Sequence, residues 1–391
     1  RQLLLHAAQQ FIEGDVLHWW FSIRGGGPRT HCSDDLLWLP FILDAYLQET
    51  ADFAILDEMV PYLNGPAEPL YLHCKRAIEL SFRRFSPRGV PLMGDHDWND
   101  GLSAVGTQMK GESFWVAEFL YLILSSFIPL AQRRGDEVFA ARCADVQQTL
   151  RDGLERYGWD GSWYRQATTD AGLLLGSQQN EEGKIFLMPN VWAVISGAAE
   201  QGRTRQAMEA VTQYLLKEHG ALLNWPAFTR PRPDIGYVTR YAPGLRENGG
   251  VYTHAATWAV WAYARLGQPE LAYEAYRRIC PPNRSADLER YWAEPYVTPG
   301  NIDGPLSPYD GRGGWTWYTG SAQWLHRVAV HWILGIRPEL DGLRIDPAIP
   351  AEWDGFTVVR RFRQATYEIE VQNPQHVHGG VASVCVDGHP Y

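Results

Sequence analysis

Ser113-Phe114-Trp115-Val116-Ala117-Glu118-Phe119-Leu120-Tyr121-Leu122-Ile123-Leu124-Ser125-Ser126-Phe127-Ile128-Pro129-Leu130-Ala131-Gln132-Arg133-Arg134 is the stretch whose reading decides the fold class. Its apolar residues recur at spacings of three and four, the period of one helix face. The longest apolar run within it, residues 119–131, is too short to span a bilayer and contains Pro129, so the stretch predicts a core helix. Working outward, the same spacing recurs at 1–12, 34–48, 71–85, 136–157, 189–201, 203–218, 252–266, 269–279 and 319–334. Ser33-Asp34-Asp35 is a good N-cap and Gly267 a good stop. Shorter helices are expected near 52–62 and Trp292. Consecutive helices without βαβ alternation suggest inner and outer pairs closing into an (α/α)6 barrel over residues 1–336. The loops 14–33, 86–111, 220–251 and 281–318 are long, and long structured loops at one barrel end form a cleft.

The texture changes near Pro338. Leu343-Arg344-Ile345-Asp346-Pro347, Phe356-Thr357-Val358-Val359-Arg360-Arg361, Ala365-Thr366-Tyr367-Glu368-Ile369-Glu370-Val371 and the run 381–388 alternate at period two. They predict an antiparallel β domain at 337–391.

The 391 residues are 45 % hydrophobic, enough for a large core, and 35 basic against 45 acidic residues leave a net charge of −10. An acidic chain without a basic stripe is a poor nucleic-acid binder. No segment reads as membrane-spanning. The five cysteines are scattered, without CxxC or His/Cys ligand spacing, which predicts reduced thiols, a cytoplasmic setting and no metal. The 17 Trp and 19 Tyr suit aromatic-lined sugar clefts, or else the core of a helical barrel. The start, Arg1-Gln2-Leu3-Leu4, has no initiator Met and is expected to lie within a longer polypeptide. There is no Gly-x-Ser-x-Gly, HExxH, GxGxxG or EF-hand loop.

Five loops carry chemistry. Gly94-Asp95-His96-Asp97-Trp98-Asn99-Asp100-Gly101 packs three carboxylates, an imidazole and an indole together. An indole between acids suits a sugar, stacking on its C–H face while acids handle hydroxyls and the glycosidic oxygen. A capping turn would use similar residues. In residues 24–35, Arg29 and Asp35 follow a Gly run and can fork hydroxyls or an anion. Arg246-Glu247-Asn248-Gly249-Gly250-Val251-Tyr252-Thr253-His254 opens a helix and reads as an anion or hydroxyl site, or as a capped helix with His254 in the core. Thr319-Gly320-Ser321 enters another helix, where free N–H groups suit a phosphate. Trp292-Ala293-Glu294-Pro295-Tyr296 is a weaker aromatic-acid patch.

Taken together, segments 13–20, 29–40, 89–101, 110–115, 246–258, 294–297 and 311–324 resemble glycoside hydrolase family 94, the inverting β-glycoside phosphorylases. The resemblance implies an (α/α)6 barrel followed by a β-sandwich-like domain, with the family's N-terminal β-sandwich absent here. It implies reversible phosphorolysis of a β-linked gluco-oligosaccharide or disaccharide to α-glucose 1-phosphate, with inorganic phosphate as co-substrate and no cofactor. Asp100 matches the general acid. Arg29, Asp35, Asp97, Trp98, Glu247 and Tyr252 match substrate-binding positions, and His254, Thr319 and Gly320 the phosphate site. A homodimer is implied for the full-length protein. His96 stands where a Gly is expected, and Leu102-Ser103 where Met-Asn is expected. Two rivals remain: an inverting hydrolase on the same barrel with Asp97 or Glu247 as base, and a non-catalytic glucan-binding, length-controlling domain of a cyclic β-1,2-glucan synthase.

Overall fold

A computed structural model describes residues 1–391. It contains twelve α-helices and short antiparallel ladders. The chain divides into two compact units. The first is 1–47, 51–210 and 224–243; the second is 48–50, 211–223 and 244–391. The strand-rich tail therefore groups with the helices of the second unit.

The first unit is built around the helix Phe114–Arg133, flanked by Glu137–Gly153 and Leu187–Ser196. Residues 114–120 are buried on every side, whereas the C-terminal half is amphipathic. The helix runs through Pro129 to a length of 20 residues, well beyond the apolar run 119–131. By length and composition it could cross a membrane, yet 67 % of its apolar window is buried inside the protein, the signature of a core helix. Ser113 starts it by accepting from the Val116 N–H at 3.2 Å. Trp115 stacks on Phe119 at 5.2 Å, and Trp192 meets both edge-on at 5.8 and 5.4 Å.

In the second unit, Thr253–Arg265 packs on Pro269–Ile279 and on Thr319–Val328. Trp261 stacks on Trp324 at 6.0 Å and on Trp332 at 5.0 Å. Trp115, Trp192 and Trp258 are fully buried, so much of the chain's tryptophan serves helix packing. Trp19, Trp292 and Trp317 stay exposed.

Helix positions agree with the periodicity to within a few residues, except that expected at 189–201, which ends at Ser196 before the left-handed Gly197, and the first, Gln2–Ala7, where residues 1–12 are expected. There Phe11 N–H already bonds the Asp15 carbonyl, turning the chain back. Near 52–62 the structure has a 3-10 turn, Phe53–Asp57, followed by the strand Met59–Pro61. The tail forms three separate antiparallel pairs rather than one sheet: Ile336–Pro338 with Leu343–Ile345, Gly355–Phe362 with Ala365–Gln372, and Cys385–Val386 with His389–Pro390. Residues 381–384 remain irregular. Pro347, Pro350 and Pro374 interrupt the connections, and proline cannot donate to a ladder.

Candidate active site

Residues 94–101 form a tight polar loop ending in the 3-10 turn Asp100–Leu102. Asn99 starts the turn by accepting from the Gly101 N–H at 3.2 Å. Asp97 fixes the loop from inside. It is 0 % exposed, and its carboxylate accepts from Ser113 Oγ at 2.7 Å, Gln166 Nε2 at 3.1 Å and the Asn99 N–H at 2.9 Å. Thus the residue that caps the core helix also anchors the acid loop. Asp100 is the opposite case, with half of its side chain (51 %) exposed. Trp98 is half-buried beside it.

The loop is clamped to residues 31–33: the His31 N–H bonds Asp95 at 2.7 Å and the Ser33 N–H bonds the His96 carbonyl at 3.0 Å. Gly94 lies at φ +65°, and a Cβ there would meet the His31 carbonyl at 1.9 Å, so no other residue fits. Residues 235–237, in the long loop 220–251, brace the far side. Ala104 N–H bonds the Ile235 carbonyl at 3.1 Å, and Tyr237 N–H bonds Ser103 Oγ at 3.3 Å.

Burial pushes the Asp97 carboxyl up to about 6, against the bonds from Ser113 and Asn99 that hold it down. A folded-state value raised from 3.8 to about 6 contributes stability that is complete below about 3.8 and lost as pH rises through about 6. Between those limits the unfolding free energy of wild type minus that of Asp97→Asn is expected to fall by about 3 kcal/mol. Urea titrations of both proteins at a series of pH values measure it, and a flat difference would refute the burial argument.

Two sequence-assigned ligands are already engaged. Arg29 makes a two-pronged bond to Asp15 at 2.5 and 2.8 Å, pairs with Glu13 at 3.2 Å and lies over Phe11. Asp35 accepts from His18 Nδ1 at 2.9 Å and from Thr30 at 3.2 Å. That bond to Asp35, opposed by partial burial, raises His18 to about 8. Asp97 spends its carboxylate on these three donors, and in that arrangement it holds the loop.

In the second unit, strands Val251–Tyr252, Asn301–Ile302 and Gly313–Gly314 form one ladder that delivers residues 246–254 and 315–321 to the starts of two helices. Glu247 is buried, 3.4 Å from Arg246 Nε, and the Arg246 guanidinium lies 3.5 Å above the Trp315 ring. Tyr252 and Tyr318 hydroxyls are 3.2 Å apart. The His254 ring sits against Trp258 and Trp324. Burial drives its pKa down to about 3, leaving a neutral imidazole. A Cβ on Gly320 would lie 3.3 Å from His254 Nδ1, so glycine keeps that approach open. Thr319 is exposed at the helix start. Thr253 Oγ1 and Ser321 Oγ, beside these residues in sequence, are buried without a hydrogen-bond partner. The fold therefore brings His254 and Gly320 together, and adds two hydroxyls in want of a partner. Two adjoining helix N-termini and a neutral imidazole make a donor set for an oxyanion.

The fold also assembles a group that the sequence spacing does not show. His18, Cys32 and His96 offer ligand atoms within 4.8 Å of one another. Cys32 and His96 are 64 residues apart, beyond the reach of any spacing rule.

Residues 1–335 match the family described as Glycosyl hydrolase 94 superfamily, catalytic domain. The chain is 39 % identical to the cyclic beta-(1,2)-glucan synthase of Rhizobium meliloti (strain 1021), over 98 % of this chain and 14 % of that protein. It is 37 % identical to the N,N'-diacetylchitobiose phosphorylase of Vibrio proteolyticus, over 93 % of this chain and 45 % of that protein. The chain thus spans less than half the length of either relative. Among solved structures it is similar in fold to a sialidase, with a TM-score of 0.61 at 15 % identity, over 95 % of this chain and 33 % of the other.

Proposed function

The chain belongs to the glycosyl hydrolase 94 superfamily, and from that premise we propose that it carries the (α/α)6 catalytic barrel, ending near residue 336, of an inverting β-glycoside phosphorylase acting on a β-glucoside. Phosphate attacks the anomeric carbon from the α face. The glycosidic C–O bond breaks as Asp100 gives its proton to the departing oxygen, and α-glucose 1-phosphate and a shortened acceptor leave. Because phosphate is the nucleophile, one acid suffices and no base has to activate water. Trp98 stacks on the sugar, Arg29 and Asp35 line the donor side, and Glu247 and Tyr252 face the acceptor. His254, Thr319 and Gly320 hold phosphate. The full-length protein is proposed as a cytoplasmic homodimer.

The observation that carries this reading is the oxyanion donor set around His254. A neutral imidazole presents one N–H donor to phosphate without a buried charge of its own. The hydrolase rival is less well served. It needs a second carboxylate as base, and of the two candidates Asp97 is fully buried with both oxygens bonded, which leaves Glu247 alone for that role.

Release of glucose 1-phosphate from β-linked glucobioses, cellobionate and β-1,2-oligoglucans, with and without phosphate, tests the proposal. Phosphate-dependent product is expected. Free glucose formed without phosphate would establish a hydrolase. The long match to a cyclic glucan synthase favours, as second reading, a glucan-binding domain that sets product length, and binding of oligoglucan without turnover at any phosphate concentration would establish it. His254→Ala removes a hydrogen bond to a charged ligand, so the KM for phosphate is expected to rise about 10–100-fold while that for the glucoside changes little. Initial rates against phosphate measure this, and an unchanged KM would remove His254 from the phosphate site.

A further inference from the structure

The geometry points to a zinc-type cation site formed by His18 Nε2, Cys32 Sγ and His96 Nε2, at the junction of residues 31–33 with the acid loop.

Three observations converge on it. First, the donor atoms lie within 4.8 Å of one another, and Cys32 Sγ is 3.1 Å from His96 Nε2. Ligands on one tetrahedral zinc, at about 2.0–2.3 Å from the metal, sit about 3.4–3.6 Å apart, so small side-chain adjustments suffice. Second, both imidazoles are already oriented. His18 Nδ1 is held by the Asp35 carboxylate at 2.9 Å and His96 Nδ1 by the Asp97 carbonyl at 2.8 Å. Each ring therefore carries a hydrogen on Nδ1 and leaves Nε2 for a metal, the carboxylate and carbonyl support that metal-ligating histidines use. Third, the surroundings are acidic: Cys32 is buried with Asp34, Asp35 and Asp95 nearby, and a divalent cation supplies positive charge there. Two nitrogens and one sulfur suit Zn²⁺ and leave a fourth position for water.

The second titratable cluster, Glu218, His219 and Asp310, does not share these features. Arg290 already pairs with Glu218 at 2.9 Å and Asp310 at 3.0 Å, so a cation is in place. One metal per chain is therefore expected.

The test is titration of the purified chain with Zn²⁺ by calorimetry and with Co²⁺ by absorption. One equivalent should bind, and cobalt should give tetrahedral d–d bands with a thiolate charge-transfer band. Cys32→Ser should lose that band. Asp35→Asn, which removes the carboxylate behind His18, should weaken zinc binding about 10–100-fold. His96→Gln provides a second ligand variant should Cys32→Ser disturb folding, judged by near-ultraviolet circular dichroism. Absence of binding, a cobalt spectrum without the thiolate band, or equal affinity in wild type and a folded ligand variant would each overturn the site. These readouts do not depend on catalytic activity.

Discussion

Asp100→Asn is expected to lower kcat for phosphorolysis about 10²–10⁴-fold with little change in KM for either substrate. The carboxamide keeps the size of the carboxyl but has no acidic proton for the departing oxygen. Half of the side chain is exposed, and its contact with His96 Nδ1 is a long 3.3 Å, so stability should hardly change. That separates a chemical loss from a folding loss. The loss should also depend on the leaving group. An aryl β-glucoside whose phenol departs without protonation should react nearly as well with the variant as with wild type, whereas an alkyl-linked disaccharide should not. Glucose 1-phosphate release from both substrate types measures this. Equal losses on both, or full turnover of the disaccharide by Asp100→Asn, would take the acid role away from Asp100.

Trp192→Ala should destabilise the protein by about 3–5 kcal/mol. Trp192 is fully buried, meeting Trp115 and Phe119 edge-on at 5.8 and 5.4 Å. Removing the indole empties the contact between the helices Phe114–Arg133 and Leu187–Ser196, and the rings beside it are too large to close the gap. Against a typical total stability of about 5–15 kcal/mol, that loss is a large fraction. Trp292→Ala, with 67 % of the residue exposed, is the control and should stay within about 0.5 kcal/mol. Urea unfolding followed by far-ultraviolet circular dichroism measures both. A loss below about 1 kcal/mol at Trp192 would mean that this core collapses freely around the gap.

The contrast between these tryptophans shows where sequence reasoning stops. The number of Trp residues is visible in the chain, but not their division between core and surface. Trp115, Trp192 and Trp258 lie within helices and pack inward, while Trp292 and Trp317 stand on loops and stay exposed. Asp97 and Asp100 are three residues apart in one loop, and nothing in their types distinguishes the buried anchor from the exposed acid. The difference comes from Ser113 and Gln166, which approach Asp97 from distant segments. Likewise Arg29 looks free beside its Gly run, until Asp15 takes both prongs of its guanidinium.

By itself the sequence determined most of the helix spans, the long loops between them, the extended runs of the tail and the motif set that marks the family. Each of these depends on residues within a few positions of one another, where periodicity, capping and turn chemistry act. Only the tertiary structure decided which carboxylate is sealed and which open, that His254 and Gly320 share one corner, and that His18, Cys32 and His96 converge. Those outcomes depend on contacts between segments far apart in the chain, and burial, which sets both pKa and reach, belongs to the packed whole.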